Sequence, residues 1–430
     1  MEKLMQYVWQ HRLWMPSDMR TTTGRPVLVL DPGLLNTDAG PDFFNAKIRM
    51  DGRTWVGNIE IHVRASDWHR HHHDGDPAYD NVILHVVEVD DCRIARSNGE
   101  EIPQVVMPCA RDFSVRYHQM VNNPLADLGC AAELPSIPQV YVSDWLTALA
   151  FERLYSRAER IRRLCDQFRG DWGSVIYVTL ARALGFSTNS DAFERLALAV
   201  PLRMLQKHCD NLVTIEGILF GQAGLLSGVP ADRDENFYVY RMKEEHAFMA
   251  SKFDLDAPRE LGWRMARMRP QNFPHRRIAT LAAMVQAGFA PGYNLLHVRT
   301  EEDARRLFRV ELTGYWSRRY NFGAPSATSV RALSEDSITT LIINVVVPVL
   351  FAYGTFYGDE SISNRAVELL QSLRPENNKI IRLFTAAGIT CSDAFTSQAL
   401  IELRRNYCEP RKCLYCRIGH RLLAHKAIRR

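Results

Sequence analysis

Residues 40–91 read GPDFFNAKIRMDGRTWVGNIEIHVRASDWHRHHHDGDPAYDNVILHVVEVDD and hold an unusual density of side chains able to bind metal or move protons. Asp42 precedes one strand-like run, and Glu60 and His62 lie on the next, with the two carboxylates eighteen residues apart. A hairpin of such strands brings both carboxylates to one end of a sheet. Hard cations such as Mg²⁺ or Mn²⁺ take oxygen ligands of this kind and keep water positions open. The ion would lower the pKa of its water and neutralise charge on a phosphoryl oxygen. Strand side chains repeat every two residues, so His62 shares the side of Glu60. Taken singly, Asp42 also suits a turn after Gly40-Pro41, and Glu60 suits a solvated strand face.

A second donor set overlaps the first. His69, His71, His72, His73 and His85 follow His62 within 23 residues. Imidazole and carboxylate bind Zn²⁺ tetrahedrally, with one open position in catalytic sites. No HExxH motif is present. His62 and His85 sit on predicted strands that hold geometry, so they are favoured over the loop histidines, and Asp42, Glu60 and His85 form the expected metal set. His85 also reads as a core histidine.

Two more regions carry chemistry. Arg264, Arg267, Arg269, His275, Arg276 and Arg277 crowd RMARMRPQNFPHRRIATLA, next to Trp263 and Phe273. Arginines at a helix start suit phosphate, and arginine with aromatics suits single-stranded nucleic acid; Arg269, Arg276 and Arg277 are the expected phosphate contacts. Arg153, Arg157, Arg160, Arg162 and Arg163 read instead as the solvated face of a helix. The tail YCEPRKCLYCRIGH spaces Cys408, Cys413 and Cys416 as C-x4-C-x2-C. Three thiols need a fourth ligand to hold zinc or an iron–sulfur cluster, and Cys391 or His420 is the expected one. The alternative is a set of reduced cysteines packing a helix hairpin.

The elements that must position these residues follow from periodicity. Residues 1–15 read as an amphipathic helix. Val27–Leu30, Phe43–Met50, Val56–Val63, Asn81–Val89 and Ile102–Met107 read as strands, the fourth almost continuously apolar and hence central. From Ser143 onward nearly every segment has helical pattern, with Ser143-Asp144 as a cap. The expected fold class is α+β, with an α/β domain over 1–135, a helical domain over 136–390 and a cysteine-containing helical tail over 391–430. A net charge of +4 is too small to mark a polyanion binder by itself. The odd count of nine cysteines argues against a disulfide framework. The start lacks a signal-peptide apolar stretch, and Leu341–Tyr353 reads as a buried helix, too short to span a bilayer. The expectation is a cytoplasmic protein with no membrane partner.

Pro41-Asp42 before one strand and Glu60-Ile61-His62 on the next resemble the PD-(D/E)XK nuclease superfamily. The resemblance covers residues 1–110 and implies an αβββαβ core, a divalent metal on Asp42 and Glu60, and phosphodiester hydrolysis; His62 stands where that superfamily has lysine. The tail somewhat resembles the cysteine staple of iron–sulfur DNA repair and processing enzymes. Over its whole length the chain resembles the bacterial domain-of-unknown-function 2851 family, through GPDFFNAKI, GNIEIHVRASDW, AYDNVILHVV, LFGQAGLL, NFPHRRIATLAAMV and CLYCRIG. That family implies no activity. The leading expectation is a metal-dependent phosphodiesterase, nuclease-like, acting on DNA or RNA through Asp42, Glu60 and His62. The alternatives are a non-catalytic nucleic-acid-binding or scaffold protein with a degenerate nuclease core, and a zinc hydrolase.

Overall fold

A computed structural model describes residues 1–14, 19–107, 111–122, 127–230, 236–256, 261–289, 293–312, 314–323 and 325–424. Pro124, Cys109 and the basic end from Lys426 lie outside them. The chain is α+β, with a mixed sheet in its N-terminal part and a mostly helical remainder. It forms two compact units. One comprises Met1–Trp145, Arg382–Ile389 and Leu403–Arg430, and the other Leu146–Ile381 and Thr390–Glu402.

In the first unit, helix α1 (Glu2–Gln10) is followed by strands β1 (Val27–Asp31), β2 (Leu34–Leu35), β3 (Phe43–Met50) and β4 (Arg53–Arg64). A short helix α2 (Asp67–Arg70), strands β5 (Val82–Val89) and β6 (Gln104–Val106), and helix α3 (Arg111–Asn122) come next. The sheet order is β1-β3-β4-β5-β6, with β2 paired to β3. β1, β3 and β4 are antiparallel, whereas β5 runs parallel to β4 and β6 parallel to β5. In β3 Ala46, Ile48 and Met50 are buried in alternation, whereas Phe43 is buried out of phase with them, across the irregularity in the β3–β4 register. Asn45 adopts a left-handed φ of 57° inside the β3–β4 irregularity, a conformation asparagine tolerates better than most residues. In β4 the run Ile59–His62 is buried on both faces, so Glu60 is not on a solvated face. α1 supplies Leu4, Met5, Val8 and Trp9 to the core, and the Trp9 indole N–H donates to the Pro32 carbonyl at 2.9 Å. Gly57 is required by close approach, because a Cβ there would stand 2.4 Å from Ile83 Cγ2 and 2.7 Å from the Asn81 carbonyl oxygen.

The helix α4 (Gln139–Gln167) begins before Ser143, so Ser143-Asp144 lies inside it and is not a cap. In the second unit, Pro201 separates the helices Ser190–Ala199 and Leu202–Gln206, as a residue with a fixed φ and no N–H should. Leu341–Tyr353 lies within a helix spanning Glu335–Tyr357, broken by a π-helical turn at Ile342–Val346. That helix has 23 residues, so shortness does not exclude a bilayer crossing; its most apolar window is 72 % buried, as in a core helix.

Candidate metal centre

The register pairs Phe43 with Ile59, which sets Asp42 against Glu60 at the edge of the hairpin. The Asp42 backbone N–H donates to Glu60 Oε2 at 3.0 Å, and the Ile61 N–H donates to Asp42 Oδ2 at 3.0 Å. Gln6 of α1 donates to Asp42 Oδ1 at 2.8 Å. Burial pushes both carboxyls above the usual range, and the Glu60 charge raises Asp42 further. Two adjacent buried carboxylates disfavour ionisation together unless a cation or a proton compensates them. The sequence-level pairing of Asp42, Glu60 and His62 is therefore met in space.

The remaining carboxylate oxygen faces imidazoles. Glu60 Oε1 lies 3.4 Å from His62 Nε2 and 3.4 Å from His73 Nε2. His62 Nε2 lies 3.1 Å from His71 Nδ1, and one ring nitrogen from each of His62, His71 and His73 falls within 4.8 Å of the others. An ion bound at 2.0–2.1 Å in a regular tetrahedron has ligand–ligand edges of about 3.3 Å, and the Glu60–His62, Glu60–His73 and His62–His71 separations are of that size.

A hydrogen-bond relay decides which nitrogen of His62 is bare. Gln104 spends its Nε2 on Asp90 Oδ1 at 3.0 Å and the Cys92 carbonyl at 2.9 Å, so its Oε1 accepts from His85 Nδ1 at 3.0 Å. His85 Nε2 is then an acceptor and takes the proton of His62 Nδ1 at 2.8 Å. His62 Nε2 is left as a lone pair aimed at Glu60 Oε1 and the other imidazoles. Burial first, then the neighbouring histidines, lowers His62 to about 2, and burial lowers His85 to about 4. Both rings are neutral at physiological pH, the state a metal ligand needs. This corrects the expected role of His85. Both of its ring nitrogens are engaged within the protein, one with Gln104 and one with His62, so His85 has no nitrogen left for the ion expected of it.

His71 and His73 come from the loop that follows α2. Asp67 starts α2 by accepting the Arg64 N–H at 3.1 Å, and His72 takes a left-handed turn at φ 62° that returns the chain toward the sheet. The Tyr79 ring stacks on His73 with centroids 3.8 Å apart, and Trp68 packs edge-on against His62, His73 and His85. His69 turns to Asp74 at 2.8 Å and stays half-exposed. The alternation of His69, His71 and His73 was visible in the sequence, but which of them turn inward depends on the αL residue. Gln6, Gln104, Trp68 and Tyr79 carried no local signal of their roles.

The family model described as Protein of unknown function (DUF2851) matches residues 2–379. The chain belongs to this family. No curated protein and no solved structure matches it. All the residues of the candidate centre in this DUF2851 chain fall inside the matched span.

The remaining sequence-level candidates are placed as follows. Arg276 is 4 % exposed, and its guanidinium donates to the carbonyls of Trp316 at 2.8 Å, Arg319 at 3.3 Å and Val330. Arg277 is 3 % exposed, bonds Asn272 Oδ1 at 2.8 Å and lies 4.3 Å over the Phe186 ring. Both are corrected from phosphate contacts to internal braces, since neither guanidinium reaches solvent. Arg269 is exposed. Cys408, Cys413 and Cys416 belong to the first unit, while Cys391 belongs to the second, where its thiol approaches the Asp393 carbonyl at 3.7 Å. His420 Nδ1 is paired with the Tyr7 hydroxyl.

Proposed function

We propose that this DUF2851 chain is a metal-dependent hydrolase that cuts phosphodiester bonds in nucleic acid. Its ion would be held by Glu60, His62, His73 and His71, with Asp42 beside it. The observation that carries the reading is the approach of Glu60 Oε1 to two imidazole Nε2 atoms at 3.4 Å each, one of them forced into lone-pair form by the Gln104–His85 relay. A donor set of three imidazoles and one carboxylate suits zinc or manganese better than magnesium, which prefers oxygen. His71 is the exposed corner of the set, so water or substrate can replace it and open the coordination position that catalysis requires. Asp42, buried with a raised carboxyl pKa, is suited to take a proton from that water.

The phosphodiester assignment rests on the order helix, three antiparallel strands, helix, parallel strand formed by α1, β1, β3, β4, α2 and β5. This is the order the nuclease resemblance implies, with Asp42 and Glu60 in the corresponding places. The test is hydrolysis of an activated phosphodiester and of single-stranded and duplex oligonucleotides with Mn²⁺ or Zn²⁺. Turnover should be lost in Glu60→Gln and His62→Ala and retained in His69→Ala. Turnover unchanged in Glu60→Gln would refute the assignment.

A second reading, a nucleic-acid-binding or scaffold protein with a degenerate core, draws on one observation. His62 occupies the place of the expected lysine and is neutral, so no fixed cation stands there. On that reading the metal binds with equal affinity, oligonucleotides bind, and none are cut.

A further inference from the structure

We propose that the first unit carries a small-molecule site between α1 and the helix Arg417–Ala424, and that its ligand is an organic anion with a flat aromatic body. The site shares no residue with the Glu60–histidine centre, and it does not depend on the proposed hydrolysis.

The cavity holds about 660 Å³, within the roughly 300–1,000 Å³ of small-molecule pockets. Every residue that lines it belongs to the first unit. The end of α1 supplies Gln10 and His11, β2 supplies Leu35, the first turn of α4 supplies Tyr141, and the returning tail supplies the rest. The sequence explains the face the tail presents. In the helix Arg417–Ala424, Ile418, Leu422 and Leu423 are buried. Arg417, His420 and Arg421 share the opposite side, at i, i+3 and i+4. Gly419 lets that helix lie close on the preceding turn, because a Cβ there would stand 2.1 Å from the Cys413 carbonyl oxygen.

The walls suit an aromatic ring. Tyr141 and Tyr415 line the cavity and remain 48 % and 56 % exposed, while Leu414 between the tail's polar groups is buried. Tyrosine rings left open in a concave site are faces on which a ligand ring can stack. Leu35 adds an aliphatic contact.

The charges select an anion. None of the lining residues is acidic. Arg417 is already spent, bonding Asp144 Oδ2 at 2.6 Å and lying 5.0 Å over the Trp145 ring. Arg421 lies 3.7 Å over the Tyr141 ring, and among the described residues no carboxylate pairs with it. A guanidinium held flat on a ring keeps its edge N–H groups free, the geometry that takes a carboxylate, sulfonate or phosphate two atoms at a time. His420 stands beside it. With the Tyr7 hydroxyl donating to His420 Nδ1, the neutral ring carries its proton on Nε2, and among the described residues Nε2 has no hydrogen-bond partner. His11 packs edge-on against this ring with centroids 4.7 Å apart. One unpaired cation, one N–H donor and open aromatic faces, with no carboxylate in the lining, fit an aromatic anion and disfavour a cation. Two sources share that chemistry, an aromatic carboxylate and a nucleoside monophosphate.

The test uses the full chain and two fluorescent probes, anilinonaphthalene sulfonate and phenylnaphthylamine, which has the same rings without the sulfonate. Wild type should bind the anion at one saturable site, about tenfold or more tighter than the neutral probe, as a charge-assisted contact implies. Arg421→Gln should erase that preference by weakening the anion alone. Arg203→Gln, on the surface of the second unit, should bind as wild type does. Melting curves of each variant, followed by circular dichroism, check that the fold is kept, and the comparison of the two probes on wild type needs no variant. Naphthoate and adenosine monophosphate are then added as competitors. Displacement by naphthoate identifies an aromatic carboxylate as the ligand class, and displacement by adenosine monophosphate identifies a nucleotide. The proposal is overturned if neither competes, if the two probes bind wild type equally, or if Arg421→Gln binds the anion with wild-type affinity.

Discussion

At the scale of single residues, the proposed ion site depends both on its ligands and on the side chains that orient them. Gln104 bonds none of the proposed ligands, yet it sets the tautomer of His85 and through it that of His62. Gln104→Leu should therefore weaken Mn²⁺ or Zn²⁺ binding by roughly 10–100-fold while the fold is kept. Competition against a metal-indicator dye measures this, and unchanged affinity would count against the relay. A separate residue tests the electrostatics of the helical unit. Glu216 is 1 % exposed, accepts from the Tyr238 hydroxyl, and is pushed by burial up to about 7. A carboxyl raised in the folded state favours the protonated form, so its contribution is full below the ordinary carboxyl range and is lost as pH rises through about 7. Glu216→Gln should remove that loss and leave the variant more stable than wild type by about 3 kcal/mol at pH 8, read from denaturant melts at pH 4.5 and 8. Equal pH dependence in both proteins would contradict it. Asp42, Glu60 and His62 were legible in sequence because period-two strands put them in phase. Gln104 and Gln6 were not, because their roles exist only through tertiary contact.

At the scale of elements, β3, β4 and β5 declared themselves by alternation and by the apolar run NVILHVVEV, and their pairing delivers the site. The loop after α2 did not. Its histidines are sorted inward or outward by one left-handed residue, His72, which no periodicity reports. The arginine-rich helix start at residues 274–277 misled for the opposite reason. A count of charges cannot tell a solvated cationic face from guanidinium groups spent on internal carbonyls. Arg276→Met should strip partners from three carbonyls and cost about 3 kcal/mol or more, seen as a large fall in Tm, with no selective effect on oligonucleotide affinity. A folded Arg276→Met protein of wild-type Tm and weakened nucleic-acid binding would restore the phosphate role.

At the scale of the whole molecule, the first and last helices of the described chain belong to one unit. Tyr7 of α1 bonds His420 of the helix Arg417–Ala424, 413 positions away in sequence. The same α1 reaches Asp42 through Gln6. Tyr7→Phe should cost about 1 kcal/mol of stability by calorimetry; a larger Tm would contradict the bond's contribution. The mixed sheet and the helical remainder were readable from composition of segments, whereas the return of the tail to the sheet domain was not, since long-range closure leaves no local pattern. The central claim is that Glu60 and the inward histidines hold one ion, and Mn²⁺ tests it most directly because manganese avoids thiolates. Stripped full-length protein is titrated with Mn²⁺ and free ion is read by electron paramagnetic resonance. One tightly held ion should appear in wild type and in His69→Ala, and none in Glu60→Gln or His62→Ala. Equal binding in wild type and Glu60→Gln would contradict the account.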